Sequence, residues 1–174
     1  MRFSPAVILG FFLAFASLAE ARLGETLDQC VERYGPVVEK RAATLPESDH
    51  EACIFSKNGV TIFVEFRGGI VWRLVFRIAS MMGEEAEALL RANMPDGGGW
   101  SSSLTVNGLV YRLSSDRRRI AVLTPAPTKD GLASLEIASK DYATAKRAAF
   151  AALSSDLKGI AKQRTTTGKT LEGF

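Results

Sequence analysis

Two Asn-Gly pairs, Asn58-Gly59 and Asn107-Gly108, constrain what this chain can fold into more than any other feature. Asn-Gly readily takes the two left-handed positions of a type I′ turn, whose twist matches that of antiparallel strands. Ala52 to Lys57 and Val60 to Phe66 flank the first pair, and Ser103 to Val106 and Leu109 to Leu113 flank the second. A further apolar run follows each hairpin: Ile70 to Ile78 after Arg67-Gly68-Gly69, and Arg119 to Thr124 after Asp116-Arg117. The pattern predicts two three-stranded antiparallel meanders. In Ile70 to Ile78, alternation puts Trp72, Leu74 and Phe76 on one face, and Val71, Arg73, Val75 and Arg77 on the other.

A helix precedes each meander. Thr26 and Gln29 have the spacing of a capping box, and Leu27, Cys30, Val31 and Tyr34 recur at helical intervals before Gly35-Pro36 stops the run. A second helix opens at Gly83-Glu84-Glu85, carries Ala86, Leu89, Leu90 and Asn93, and breaks at Met94-Pro95. The two Asn-Gly turns lie 49 residues apart, and the helix starts are similarly spaced, the signature of a duplication. Leu132 to Ala138 reads as either strand or loop. From Ser139 a longer helix is expected, with Tyr142, Ala145, Ala149, Leu153, Leu157 and Ile160 on its apolar stripe. The expected class is therefore α+β, with residues 22–79 and 80–127 as the two helix-plus-meander units. A connector and helix fill 128–164, and 165–174 form a tail with little to bury.

Residues 1–21 read as a secretory signal. Arg2 leads an apolar run from Val7 to Ala19, and Ala19-Glu20-Ala21 is an A-x-A cleavage site. The apolar run is too short to span a bilayer comfortably. The expected location is the periplasm or the medium. In such an oxidising compartment the two cysteines, Cys30 and Cys53, are expected to form a disulfide worth about 3 kcal/mol in the chain-entropy account. The net charge of +3 is concentrated in the C-terminal segment, from Lys140 to Phe174.

The chemistry of catalysis is thinly represented. The single histidine, His50, lies in a polar connection beside Asp49 and Glu51, with no nucleophile at a fitting spacing. One histidine and two cysteines do not supply a transition-metal set, and no acidic loop follows the calcium pattern. Gly168-Lys169-Thr170 lacks the earlier glycine of a phosphate loop. No catalytic residue, cofactor or metal site is assigned. Trp100, flanked by glycines and serines, and Tyr111 mark the expected binding surface.

The stretch from Leu23-Gly24-Glu25-Thr26 to Arg33-Tyr34-Gly35-Pro36 resembles the opening of BamE-like (SmpA/OmlA) domains. The helix-plus-meander plan is also similar to the tandem units of β-lactamase-inhibitor proteins. The resemblance covers Leu23 to Ile78 and, less closely, Gly83 to Thr124. It implies a non-enzymatic protein that binds a protein partner in the envelope or medium. Nucleic acid is not an expected partner, and membrane contact is at most peripheral, through 140–164. Two alternatives stand beside it: a hydrolase using carboxylates near a tryptophan-lined groove, and a surface protein acting through its basic C-terminal helix.

Overall fold

The computed structural model describes residues 22–49, 51–79, 81, 83–94, 98–125 and 131–152. The expected signal and its Ala21 site, His50, the apolar positions beyond 152 and the 165–174 tail lie outside the described residues.

The fold is α+β. Eight antiparallel strands form one sheet in the order β1-β2-β3-β4-β8-β7-β6-β5. They are β1 (Glu39–Ala42), β2 (Glu51–Lys57), β3 (Val60–Arg67), β4 (Ile70–Ile78), β5 (Leu104–Val106), β6 (Leu109–Leu113), β7 (Arg119–Thr124) and β8 (Ala133–Ser139). Both Asn-Gly pairs turn as expected, with φ of 51° and 79° at Asn58 and Gly59, and 50° and 77° at Asn107 and Gly108. Helix α1 (Leu27–Tyr34) starts in the full capping box. The Thr26 N–H donates to Gln29 Oε1 at 2.8 Å, and the Gln29 N–H to Thr26 Oγ1 at 3.4 Å. Helix α2 (Gly83–Ala92) begins with Glu84 and Glu85 at its positive end. A third helix, α3, runs over 140–152, capped by the Ser139 hydroxyl, which accepts the Tyr142 N–H at 3.1 Å.

The ambiguous stretch Leu132 to Ala138 becomes β8, the strand that joins the halves. It pairs with β4 on one side and β7 on the other, so the two meanders share a sheet. Alternation fits this central position: Ala133, Leu135 and Ile137 are buried on one face, while Glu136 and Ala138 look to the other. β1 is an addition absent from the sequence reading, a short charged strand on one sheet edge.

Helices α1 and α2 cover one face. Cys30 and Tyr34 of α1 and Leu90 of α2 pack with Phe55, Ile62, Val64, Leu74, Phe76, Leu135 and Ile137 of the sheet. Each large apolar side chain buried there contributes about 1.5–3 kcal/mol. Helix α3 lies on the opposite face, where Tyr142 packs with Trp72, Ala138 and Leu45.

Trp72 is on the α3 face, contrary to simple alternation. The β3–β4 register shifts after Glu65↔Arg73, and the next pair is Phe66↔Val71, which leaves Trp72 as the extra residue of a bulge. A bulge resets the alternation at that point. Val71, Leu74 and Phe76 therefore share the α1/α2 core, and Trp72 meets Tyr142 edge-on at 5.1 Å between ring centres.

Candidate functional site

The α3 face carries two neighbouring features: a partly buried charge network near the sheet centre and an open apolar surface running to edge β5.

The network begins with two charges on facing strands. Glu65 of β3 and Arg73 of β4 are cross-strand partners, and Arg73 Nη1 donates to Glu65 Oε1 at 2.6 Å. The connection before β2 closes over them. Glu65 also accepts from the Thr44 hydroxyl, from the Thr44 N–H at 3.3 Å and from the Ser48 hydroxyl at 3.0 Å. The second fork of Arg73 reaches Glu136 of β8 at 3.3 Å, and Lys146 of α3 reaches the same carboxylate at 3.2 Å. Burial works to raise the pKa of Glu136, but the charges and hydrogen bonds of Arg73 and then Lys146 outweigh it and hold the carboxyl below its usual range. Arg73 also lies over the Tyr142 ring at 5.2 Å. Burial pushes the Tyr142 phenol up to about 12, so it stays neutral at physiological pH. Glu65 is only 2% exposed and out of reach of a substrate, whereas Glu136 keeps 22% of its side chain exposed and borders the groove beside α3. The network ties the 43–49 connection and α3 to the sheet. Asp49 completes the tie by accepting the Gly68 and Gly69 N–H groups at 2.9 and 2.8 Å.

Beyond α3, no other helix among the described residues lies on the same face. In β6, Val110 and Arg112 line a small cavity with Leu90, Ala121 and Leu135 on the α1/α2 face, so alternation puts Leu109, Tyr111 and Leu113 on the α3 face. Their cross-strand partners continue the surface: Leu104 faces Tyr111, Val106 faces Leu109, Val122 faces Tyr111, and Ile120 faces Leu113. Leu104 is 64% exposed, Leu113 46% and Val106 44%. At the other end Ile120, Val122 and Ala138 floor a groove of about 320 Å³ walled by Tyr142, Lys146 and Phe150 of α3. Phe150 is 72% exposed.

Edge β5 differs in chemistry from edge β1. The β1 edge presents Glu39, Lys40 and Arg41, with Arg41 paired to Glu39 and Lys40 to Glu51. Such charges discourage addition of another strand. From Ser101 to Asn107 the β5 edge carries no charge at all. Val106 and Leu109 flank the two-residue turn and exchange hydrogen bonds, so by antiparallel alternation Thr105 turns its N–H and C=O to the open edge.

The two residues expected to mark the binding surface are not brought together. Trp100 is half-buried against the α1/α2 core, and its indole N–H donates to the Leu90 carbonyl at 2.6 Å. It ties the β5 approach to the end of α2. Tyr111 lies on the other face, within the open apolar surface. Cys30 and Cys53 stand as two free buried thiols in the structure, not as the expected bridge. Burial, then the Glu25 charge, pushes the Cys30 thiol up to about 12, and burial also raises Cys53. The densest acidic cluster stays on the first turn of α2, with Glu87 paired to Arg112. Among the described residues no group of three His, Cys, Asp or Glu side chains could hold a metal ion, and no helix is long and apolar enough to cross a membrane.

The sequence reading missed the β5–β7 surface as a unit. Its signal was present: Leu104, Val106, Leu109, Tyr111, Leu113, Ile120 and Val122 alternate on one face, and nothing in α2 matches that face. It missed the Glu65–Arg73 pair for a different reason, since the cover over it comes from a connection with no periodic signal.

No family model matches the sequence, and no curated protein matches it. Among solved structures, the chain is similar to a cysteine-rich secretory protein from Staphylococcus aureus, with 10% identity and a TM-score of 0.40. The similarity covers 69% of this chain and 45% of that one, so the match spans less than half of the other protein's length.

Proposed function

We propose that this is an exported, non-enzymatic binding protein of the envelope or medium, and that its partner is an extended protein segment added to edge β5. The observation that carries the reading is the pairing of an open, uncharged edge strand with the apolar row beside it. An added strand would gain main-chain hydrogen bonds from Thr105 and side-chain contacts from Leu104, Tyr111 and Leu113. At the groove beyond, Lys146 is paired with Glu136, and Arg147 leaves the lining with a positive excess that favours a segment with acidic residues flanking its apolar positions. The A-x-A signal at Ala21 supports export. The resemblance to BamE-like and β-lactamase-inhibitor-like domains points to the same class of role.

The test places a photoreactive amino acid at Leu104, Leu113 or, as a control, Lys40 in the protein expressed in its own cells. The expected result is one adduct of defined mass from the first two positions and none from Lys40. Thr105→Pro removes the outward N–H without touching the β5–β6 ladder, and it should abolish that adduct while leaving the urea midpoint unchanged. Leu104→Asp should do the same through the apolar contact. Adducts that map to residues 153–174 of the same chain would overturn the reading, because the surface would then belong to the chain's own C-terminal segment. So would an adduct insensitive to both substitutions.

A further inference from the structure

We propose that a second site, remote from edge β5, binds a phosphate-bearing ligand in the cleft where the central strand pair splays apart. β4 and β8 pair from Ile78↔Ala133 to Arg73↔Ala138 and no further. β4 continues back through Trp72, Val71 and Ile70 beside the N-terminal segment, with the Gly24 N–H donating to the Val71 carbonyl at 2.9 Å and the Val71 N–H to the Glu25 carbonyl at 2.8 Å. β8 instead ends at Ser139 and turns into α3. The Lys140 N–H donates to the Arg118 carbonyl at 2.8 Å, which holds the β6–β7 turn against that junction. A cleft of about 570 Å³ opens between these diverging elements. That volume is in the range of small-molecule sites.

Its lining is strongly biased in charge. Arg67 comes from the end of β3, Arg118 and Arg119 from the β6–β7 turn and the start of β7, and Lys140 from the start of α3. Against these four cations stand two carboxylates, Asp116 and Asp141. Asp116 is engaged in its own turn, accepting from the Ser114 hydroxyl and from the Arg118 N–H at 3.0 Å. None of the four cations takes part in an ion pair among the described residues. Two of them are held in place by neutral groups. Arg119 Nη1 donates to the Asn93 carbonyl at 2.6 Å, and the Arg67 guanidinium lies over the Trp72 ring at 5.1 Å.

Cations gathered from three elements around one concavity repel one another, and an anion placed among them relieves that repulsion. Three of the four are arginines, whose planar forks match the oxygens of a phosphate. The excess of two cations over carboxylates suits a dianion, as a phosphate monoester largely is at neutral pH, better than a single carboxylate. Leu23 and Ile70 supply apolar walls for whatever carries the phosphate. The proposal is independent of the edge-strand reading, since the two surfaces share no residue.

The test titrates the purified protein with pyrophosphate and, separately, with phosphatidylcholine vesicles that contain or lack phosphatidic acid. Binding is followed by calorimetry and by the amide NMR shifts of Gly24, Arg118 and Lys140. Saturable binding that weakens with salt is expected, with a Kd raised at least tenfold (about 1.4 kcal/mol) in the double variant Arg118→Glu, Lys140→Glu. The control Lys40→Glu, on edge β1 and outside the cleft lining, should leave the Kd unchanged. Arg118→Gln and Lys140→Gln, tested singly, guard against a folding defect in the double variant. Pyrophosphate binding assigns a soluble phosphate ligand. Binding only to vesicles with phosphatidic acid, lost in the double variant, assigns a lipid headgroup. No saturable shift with either probe, or equal weakening by Lys40→Glu, would overturn the proposal.

Discussion

Replacing Arg73 by methionine gives a severe test of the account of the α3 face. The change keeps most of the apolar stem and removes the guanidinium that faces Glu65 and Glu136. Glu65 would keep its hydrogen bonds from Thr44 and Ser48 but lose the one cation paired with it among the described residues, in a position 2% exposed. Breaking a buried pair from one side costs about 3–5 kcal/mol, because a charge is left without compensation. A domain of this size has about 5–15 kcal/mol in total, so the variant should be close to the limit of folding. Adding Glu65→Gln removes the stranded charge, and the double variant should recover about 2 kcal/mol of the loss. Recovery stays partial because Glu136 has lost Arg73 and, among the described residues, keeps Lys146 alone. Urea unfolding of the wild type, both single variants and the double variant, followed by circular dichroism, gives the four free energies of a double-mutant cycle. The pH dependence is a second check. Glu136 is depressed in the folded state, so its contribution is present above its ordinary value of 4.5 and is lost as pH falls through the folded value. The gap between wild type and Arg73→Met should therefore narrow as pH drops below about 4.5. A loss under about 1 kcal/mol for Arg73→Met, or strict additivity with Glu65→Gln, would refute the reasoning.

Gly59→Val should cost about 1–2 kcal/mol in urea unfolding, since φ at that position is +79° and a β-branched residue resists the left-handed region. Thr26→Ala removes the oxygen that accepts the Gln29 N–H and should cost about 1 kcal/mol, with the loss absent in a Thr26→Ser variant. Reduced, folded protein should leave both Cys30 and Cys53 unreacted with a disulfide thiol reagent at pH 8, since burial raises both thiols, and should release two thiols in urea. Protein taken from its own cells decides whether the expected bridge forms there. No thiol in urea means that it does, and two thiols mean that the pair stays reduced.

Local chemistry made much of this fold legible. Asn58-Gly59 and Asn107-Gly108 located two hairpins, Thr26 and Gln29 started α1 at the right residue, and the apolar runs between them fell on β2, β3, β4, β6 and β7. Each of these rests on neighbours in the chain. What failed rests on distant partners. β1 exists because Glu39–Ala42 finds Glu51–Ile54 to pair with, although its own sequence has no strand pattern. β8 was undecided until β4 and β7 offered it two edges. Trp72 was assigned to the wrong face because alternation assumes an unbroken register, and the bulge after Glu65 breaks it.

The sites show the same limit more sharply. Trp100 stands out because it is large and set among small polar residues, and in the fold the Leu90 carbonyl accepts its indole N–H while the ring packs in part against the α1/α2 core. A conspicuous residue in sequence is often one that the fold has already used. The open apolar row, by contrast, is built from ordinary strand residues, and becomes a surface only when β5, β6 and β7 are set side by side. The cleft is further still from legibility. Arg67, Arg118 and Lys140 look like solvated charges in their own segments, and Arg118 belongs to a three-arginine turn that any exposed hairpin could carry. They converge because β8 enters between β4 and β7 and then leaves β4 at Arg73, so that three chain reversals end around one gap. The strand that was hardest to assign from sequence is thus the one that assembles the site. A reading that stops at local pattern will find the hairpins of such a protein and miss the place where they meet.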